Sequence, residues 1–127
     1  HLRPLLDELT KLPKPVNMTL FIDKCMDLFI SLYVNSKQTV NELGLIQESN
    51  PEIKQYFAAY EDMILSSLVK ALENPNISQE SLNEKMYLLY TLAEILGQEH
   101  AYHYHSNINL EILRQQITKI ITQLFAD

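Results

Sequence analysis

The sequence predicts an all-α fold, a bundle of five to six helices that forms a single domain over residues 1–127. Glycine occurs only twice, at Gly44 and Gly97, and the helix-favouring residues Leu, Ile, Glu, Gln and Lys are frequent. Apolar residues recur at steps of three and four along most of the chain, which is the spacing of a helix face. A chain of 127 residues is also long enough to bury a substantial core as one domain.

Residues 1–12 predict a short first helix. They carry a leucine stripe at helical spacing, made of Leu2, Leu5, Leu6, Leu9 and Leu12. Pro13 and Pro15 end this segment because proline cannot continue a helix. A stripe of about two turns is not stable in isolation, so it must pack on the rest of the chain.

Asn17–Asn35 predicts a helix that is apolar around most of its circumference. Its polar residues form one narrow stripe at steps of four, consisting of Asp23, Asp27, Ser31 and Asn35. A helix of this type is buried on several sides. Residues 36–49 predict a short helix that Gly44 ends or bends.

Residues 50–73 predict a central helix of about six turns. Asn50 caps its start and Pro51 occupies the first helical position, where no amide donor is needed. One face carries Ile53, Phe57, Tyr60, Ile64, Leu68 and Leu72. Asn74 and Pro75 stop the helix.

Ser78–Tyr104 predicts a helix with two apolar flanks, with Ser78 as its cap. The first flank, Leu88, Leu92 and Ile95, is predicted to face the core of the domain. The second is a line of mostly small residues at steps of four, Leu89, Ala93, Gly97 and Ala101. Small residues at this spacing allow another helix to approach closely. That helix belongs either to a second subunit or to the same chain, and the sequence leaves both interpretations open.

Asn109–Phe125 predicts the last helix, with Asn109 as its cap. Its apolar seam consists of Leu110, Leu113, Ile117, Ile120, Ile121 and Leu124.

Charge and composition exclude several function classes. The formal net charge is -6 and lysine and arginine form no cluster, so this segment is not expected to bind nucleic acid itself. The longest apolar run is broken by Asp23, Lys24 and Asp27, so no membrane span is predicted. The single cysteine, Cys25, excludes an internal disulfide and fits a reducing cytoplasm.

Catalytic and metal-binding patterns are also weak. The sequence has no phosphate loop, nucleophile elbow or triad-like cluster, so an enzyme is the least favoured class. His100, His103 and His105 invite a metal interpretation, but no carboxylate stands at the Glu-x-x-His spacing of di-metal bundles. We expect neither a metal nor another cofactor.

Aromatic residues indicate a small-molecule site. Five tyrosines on three different predicted helices could converge: Tyr33, Tyr56, Tyr60, Tyr87 and Tyr90. A pocket with an apolar wall and a few polar tips is typical of ligand sites, although each tyrosine alone also suits the rim of a core. The predicted ligand residues are Phe21, Cys25, Phe29, Tyr60, Ile64, Tyr87, Thr91 and Glu94. The acidic balance favours a cationic or neutral organic molecule over an anion.

The central helix also carries a family resemblance. An Asn-Pro-Glu start, an aromatic-rich first two turns and a leucine-rich end over residues 50–75 resemble the long helix of the TetR family's ligand-sensing domain. Nearly all of the chain is similar to this C-terminal domain in the same helix order. In that family, which consists of transcriptional repressors, the last two helices pair with those of a second subunit.

The resemblance implies a homodimer, and the amount of apolar surface on the last two helices gives a second reason to expect one. The predicted interface residues are Leu89, Ala93, Gly97, Ala101, Leu113, Ile117, Ile120 and Leu124.

The function implied by the resemblance is that of an effector-sensing and dimerisation domain in the cytoplasm. A small apolar ligand would allosterically control DNA binding by an N-terminal helix-turn-helix domain that this sequence lacks. The alternative is an unrelated all-helical protein–protein interaction or scaffold module. A basic helix-turn-helix pattern upstream of His1 would separate the two.

Residues 1–127 alone are expected not to bind duplex DNA with sequence preference, because the segment is acidic and has no basic helix. A fluorescence-anisotropy titration at moderate salt measures this. Tighter binding to one duplex than to a scrambled one would contradict the prediction.

Overall fold

The computed structural model describes residues 7–13, 16–35, 42, 48–72 and 79–126, without the side chains of Tyr56, Phe57 and Tyr60. Every regular element in these ranges is helical, which confirms the all-α prediction. The longer helices are α1 (Met18–Asn35), α2 (Pro51–Ala71), α3 (Leu82–Tyr102) and α4 (Leu110–Ala126). Helix α3 packs against all three of the others, and α1 also packs against α4. The short helix predicted within residues 36–49 lies largely outside the described residues.

The predicted N-terminal helix is described only in part. Residues 7–10 are helical and Leu9 is buried in the same core cluster as α1. The end of this segment therefore packs on the bundle as predicted, while residues 1–6 lie outside the described part.

Helix α1 is extensively buried, as its sequence predicts, and six of its 18 residues belong to the core. The Asn17 side chain accepts a hydrogen bond from the Leu20 amide at 3.0 Å, which caps the helix start. Asp23 and Asp27 on the predicted polar stripe are exposed. None of the described helices has the length and apolar character needed to cross a bilayer.

Helix α2 begins where the sequence predicts. The Asn50 side chain accepts hydrogen bonds from the amides of Glu52 and Ile53 at 3.0 and 3.3 Å, so both donors are satisfied by the cap. Ile64 and Leu68 on the predicted apolar face are buried.

Helix α3 is shorter than predicted at both ends. It begins at Leu82 instead of Ser78, because Ser81 has a left-handed backbone with φ of 59° and makes no side-chain cap bond. It ends at Tyr102 instead of Tyr104, because His103 is also left-handed with φ of 52°. A positive φ interrupts the right-handed helical path on either side.

Helix α4 begins with the predicted cap. The Asn109 side chain accepts a hydrogen bond from the Ile112 amide at 3.0 Å. Ile117 and Ile121 are buried, and the helix continues one residue past Phe125 to Ala126.

The small-residue line of α3 is covered by α1 of the same chain. Its four members are all buried, namely Leu89, Ala93, Gly97 and Ala101. A Cβ atom at Gly97 would lie 2.6 Å from the carbonyl oxygen of Phe29 and 3.0 Å from a ring carbon of Tyr33. The close helix approach predicted from these residues is thus present, and it is the intramolecular one. These residues must be removed from the predicted dimer surface because α1 already occupies it.

The substitution Gly97→Ala is expected to destabilise the domain by about 1–3 kcal/mol. The new methyl group would clash with the backbone of α1, which cannot rotate away as a flexible side chain could. Urea denaturation measures the free energy of unfolding. The control Asn83→Ala changes an exposed residue of α3 and should shift it by less than about 0.5 kcal/mol. An unchanged stability of Gly97→Ala would contradict the close crossing.

Candidate functional site

The predicted ligand residues separate into a core group and a rim group. The core group is completely packed and consists of Phe21, Cys25, Phe29 and Ile64. Burial raises the pKa of the Cys25 thiol well above its ordinary value, so the thiol is protonated and serves as apolar filling. All four residues of the core group belong to the hydrophobic core of the bundle.

The rim group lies on α3. Tyr87 is 54% exposed, and Thr91 and Glu94 are partly exposed. The Thr91 hydroxyl donates to the Tyr87 carbonyl at 2.9 Å, so it is engaged with its own helix. The backbone of Tyr60 is in α2, but its side chain lies outside the described residues.

Glu94 belongs to a polar cluster that joins α1 to α3. The hydroxyls of Tyr33 and Tyr90 lie near the Glu94 carboxylate and lower its pKa. The Gln98 side-chain amide donates to the Tyr33 hydroxyl at 3.4 Å. We refer to Tyr33, Tyr90, Glu94 and Gln98 as the tyrosine–glutamate cluster.

The helix geometry explains how this cluster assembles. Tyr90, Glu94 and Gln98 are separated by steps of four, which places them along one side of α3. Tyr33 reaches them because α1 crosses α3 closely at Gly97. The rings of Phe29 and Tyr90 meet edge to face, with centroids 4.9 Å apart and an interplanar angle of 78°, and this contact fixes the Tyr90 ring.

The electrostatics of the cluster oppose a negative charge on Glu94. Burial raises the pKa of Glu94, and the Glu61 carboxylate of α2 raises it further, while the hydroxyls of Tyr33 and Tyr90 lower it in part. Burial raises the pKa of Tyr33 to about 12 and also raises the pKa of Tyr90, so both hydroxyls remain donors at neutral pH. Within the described residues, the groups that act on Glu94 include no basic side chain. The site therefore favours a proton or a positive charge.

Sequence reasoning found part of this arrangement. Tyr33 and Tyr90 are two of the tyrosines predicted to converge and they do so, whereas Tyr87 points its ring to solvent at the rim. Glu61 was missed, although its spacing to Ile64 places it beside the apolar face of α2. A charged residue at the edge of such a face was the available signal.

The three histidines do not form a metal site in the described part of the chain, where no group of three or more His, Cys, Asp or Glu side chains is arranged to hold an ion. His105 instead contacts Glu99, which is only 5% exposed. The His105 ring nitrogen Nδ1 lies 2.7 Å from Glu99 Oε2, and the His105 amide donates to Oε1 at 3.2 Å. This contact holds the turn between α3 and α4.

The remaining predicted dimer residues lie on α4. Ile117 is buried, Leu113 and Leu124 are partly buried, and Ile120 is exposed. On α3 the small-residue flank is buried, whereas Leu88 and Ile95 of the predicted core flank are exposed. Leu92, the third member of that flank, is partly buried and packs against the core as predicted.

Exposed apolar side chains thus recur on the last two helices. They are Leu88 and Ile95 on α3 and Ile112 and Ile120 on α4, all between 43% and 54% exposed. Spacings of seven and eight residues keep each pair on one side of its helix. We call these four residues the α3–α4 apolar face.

Arg114 connects α4 to α1 away from this face. Its Nη2 atom lies 2.5 Å from Asp23 Oδ1 and 2.8 Å from Asp27 Oδ1. An open groove of about 700 Å³ adjoins it, lined by Asp23 and one side of α4. None of the predicted ligand residues lines this groove, so it is separate from the tyrosine–glutamate cluster.

Comparison of the chain with protein-family models, curated proteins and solved structures finds no match in any of the three. The geometry and chemistry of the site are therefore the basis for assigning a function.

The substitution Glu94→Gln is expected to reduce the loss of stability at rising pH. The pKa of Glu94 is raised in the folded state, so protonated Glu94 stabilises the fold at a pH below the ordinary pKa of glutamate. This stabilisation is lost as the pH rises through the folded-state pKa, and glutamine has no such loss because it does not ionise. The melting temperature of the variant relative to wild type should therefore increase from about pH 4 to about pH 7. Thermal denaturation across this range measures it, with the exposed α3 residue Glu84→Gln as control. A difference that is constant with pH would contradict the prediction.

Proposed function

We propose that this chain is the effector-sensing and dimerisation domain of a TetR-type transcriptional repressor. In this proposal a small organic ligand controls DNA binding by an N-terminal helix-turn-helix domain. The observation that carries it is the α3–α4 apolar face, which lies on the two helices that the family resemblance assigns to the dimer contact.

The dimer part rests on exposure. Four large apolar side chains on two neighbouring helices are unfavourable in water, and a patch of this kind normally marks an interface. A two-fold contact would set the same face against itself and cover all four residues in both subunits. Ile120 is retained from the predicted interface, while Leu88, Ile95 and Ile112 replace the buried small-residue line.

The effector part rests on the tyrosine–glutamate cluster. Tyr33, Glu94 and Gln98 are partly exposed, so a ligand reaches their polar atoms without unpacking the core. Tyr33 belongs to α1, which shares the core cluster with Leu9 near the N-terminus. A ligand that shifts α1 would therefore move the segment expected to lead to the DNA-binding domain. Such couplings are typically about 1–3 kcal/mol and are reciprocal, so operator DNA would weaken ligand binding equally.

The alternative is an unrelated helical interaction or scaffold module. The same apolar face would then bind a different protein, and the isolated chain would remain monomeric. The oligomeric state therefore discriminates between the two proposals.

The isolated chain is expected to be a dimer at tens of micromolar, and Ile95→Glu and Ile120→Glu should each shift it to monomer because a buried unpaired charge opposes association. Multi-angle light scattering after size exclusion gives the mass directly. The control is Met63→Glu on α2, since Met63 is 46% exposed but lies off the α3–α4 apolar face; it should remain dimeric. A monomeric wild type would contradict the dimer and favour the alternative.

A further inference from the structure

We propose that the contact between two copies of this chain extends over the connection between α3 and α4, residues 103–109, where Tyr104 and Ile108 pack against the second copy. The inference rests on the proposed dimerisation function and deepens it, because it assigns interface residues that lie on neither helix.

The first argument is area. A stable contact between two proteins covers about 800 Å² on each partner and about 20–30 residues a side. The α3–α4 apolar face consists of four side chains, each about half exposed, and these supply only part of such an area. The dimer contact must therefore include further exposed residues beside the face.

The second argument is continuity, because both exposed lines of the face lead to the connection. On α3, Leu88 and Ile95 are followed at the same seven-residue step by Tyr102, the last residue of the helix. This step keeps Tyr102 on the side of α3 that carries Ile95. On α4, Ile112 is preceded four residues earlier by Ile108, which is 39% exposed and lies just before the helix.

The third argument is the exposed ring on the connection. Tyr104 is the most exposed of the large apolar side chains in the described part of the chain, at 64%. Its ring stacks on that of Tyr102, with centroids 5.2 Å apart and an interplanar angle of 23°. The orientation of Tyr104 is thus supported by a neighbouring ring while most of its surface remains in water. Tyrosine is enriched among the residues that dominate protein interfaces.

The connection is also fixed in shape before a partner binds. His105 bonds both carboxylate oxygens of the buried Glu99, one through its ring and one through its amide. The His103 amide donates to the Glu99 carbonyl at 3.0 Å, and the Ile108 amide donates to the His105 carbonyl at 3.3 Å. A loop that is already ordered loses little conformational entropy on association.

Charge favours a second copy as the partner. The chain carries a formal net charge of -6, so two copies repel each other wherever acidic residues meet. Residues 103–109 contain no Asp, Glu, Lys or Arg. This part of the surface can therefore meet its own copy without bringing like charges together, as a two-fold contact requires.

Sedimentation velocity over a concentration series tests the inference through the dissociation constant of the dimer. Tyr104→Ser and Ile108→Ser should each raise it at least about tenfold, because each substitution removes an apolar contact from both subunits at once. The control Val34→Ser should leave it unchanged, since Val34 is 47% exposed but lies on α1. Circular dichroism melts confirm that each variant is folded.

Thiol alkylation tests the same contact independently. The single cysteine, Cys25, is buried, so Tyr104→Cys introduces a thiol that reagents in solution can distinguish from it. At a protein concentration that keeps this variant dimeric, iodoacetamide should react with it markedly more slowly than in the double variant with Ile95→Glu, which is expected to be monomeric. Val34→Cys should react at the same rate with and without Ile95→Glu.

The outcomes separate this inference from the dimer beneath it. A dimeric wild type whose dissociation constant is unchanged in Tyr104→Ser and Ile108→Ser would overturn the inference and retain the dimer. Equal alkylation of Tyr104→Cys with and without Ile95→Glu would do the same. An equal rise of the dissociation constant in Val34→Ser would also overturn it, because the effect would not be local. A monomeric wild type would overturn both the inference and the dimer.

Discussion

The contact between α1 and α3 at Gly97 is the constraint on which the rest of the bundle depends. A hydrogen atom at this position leaves room for the backbone of Phe29, where a methyl group would not fit. The close approach buries the small-residue line of α3 and brings Tyr33 within reach of Glu94 and Gln98. The packing of the core and the assembly of the candidate site are thus consequences of one crossing.

The same contact determines which side of α3 is left exposed. Since α1 covers the small-residue line, Leu88 and Ile95 on another side of α3 remain exposed. The bundle therefore separates two surfaces of α3, a polar cluster shared with α1 and an apolar face shared with α4. This separation allows a single helix to serve both ligand binding and subunit contact in the proposed function.

Local features were predictable from the sequence and long-range ones were not. Asn50 and Asn109 cap their helices as predicted because a cap involves only residues within one turn. Periodicity identified two apolar flanks on α3, but it contains no information on which flank another helix covers. The predicted start of α3 at Ser78 was wrong because Ser81 has a left-handed backbone, a conformation that serine rarely adopts. The tyrosine–glutamate cluster was only partly predictable, since it depends on α1 and α2 meeting α3.

Arg114 joins α4 to α1 through ion pairs with Asp23 and Asp27. These contacts respond to salt concentration, unlike the close crossing at Gly97. Asp23 and Asp27 have more than half of their side-chain surface in water, so dissolved ions screen their attraction to Arg114. The crossing at Gly97 is a contact between backbones and does not respond to ionic strength in this way. Dissolved salt therefore acts selectively on the bundle, loosening the outer side of α4 from α1 while α1 and α3 remain joined.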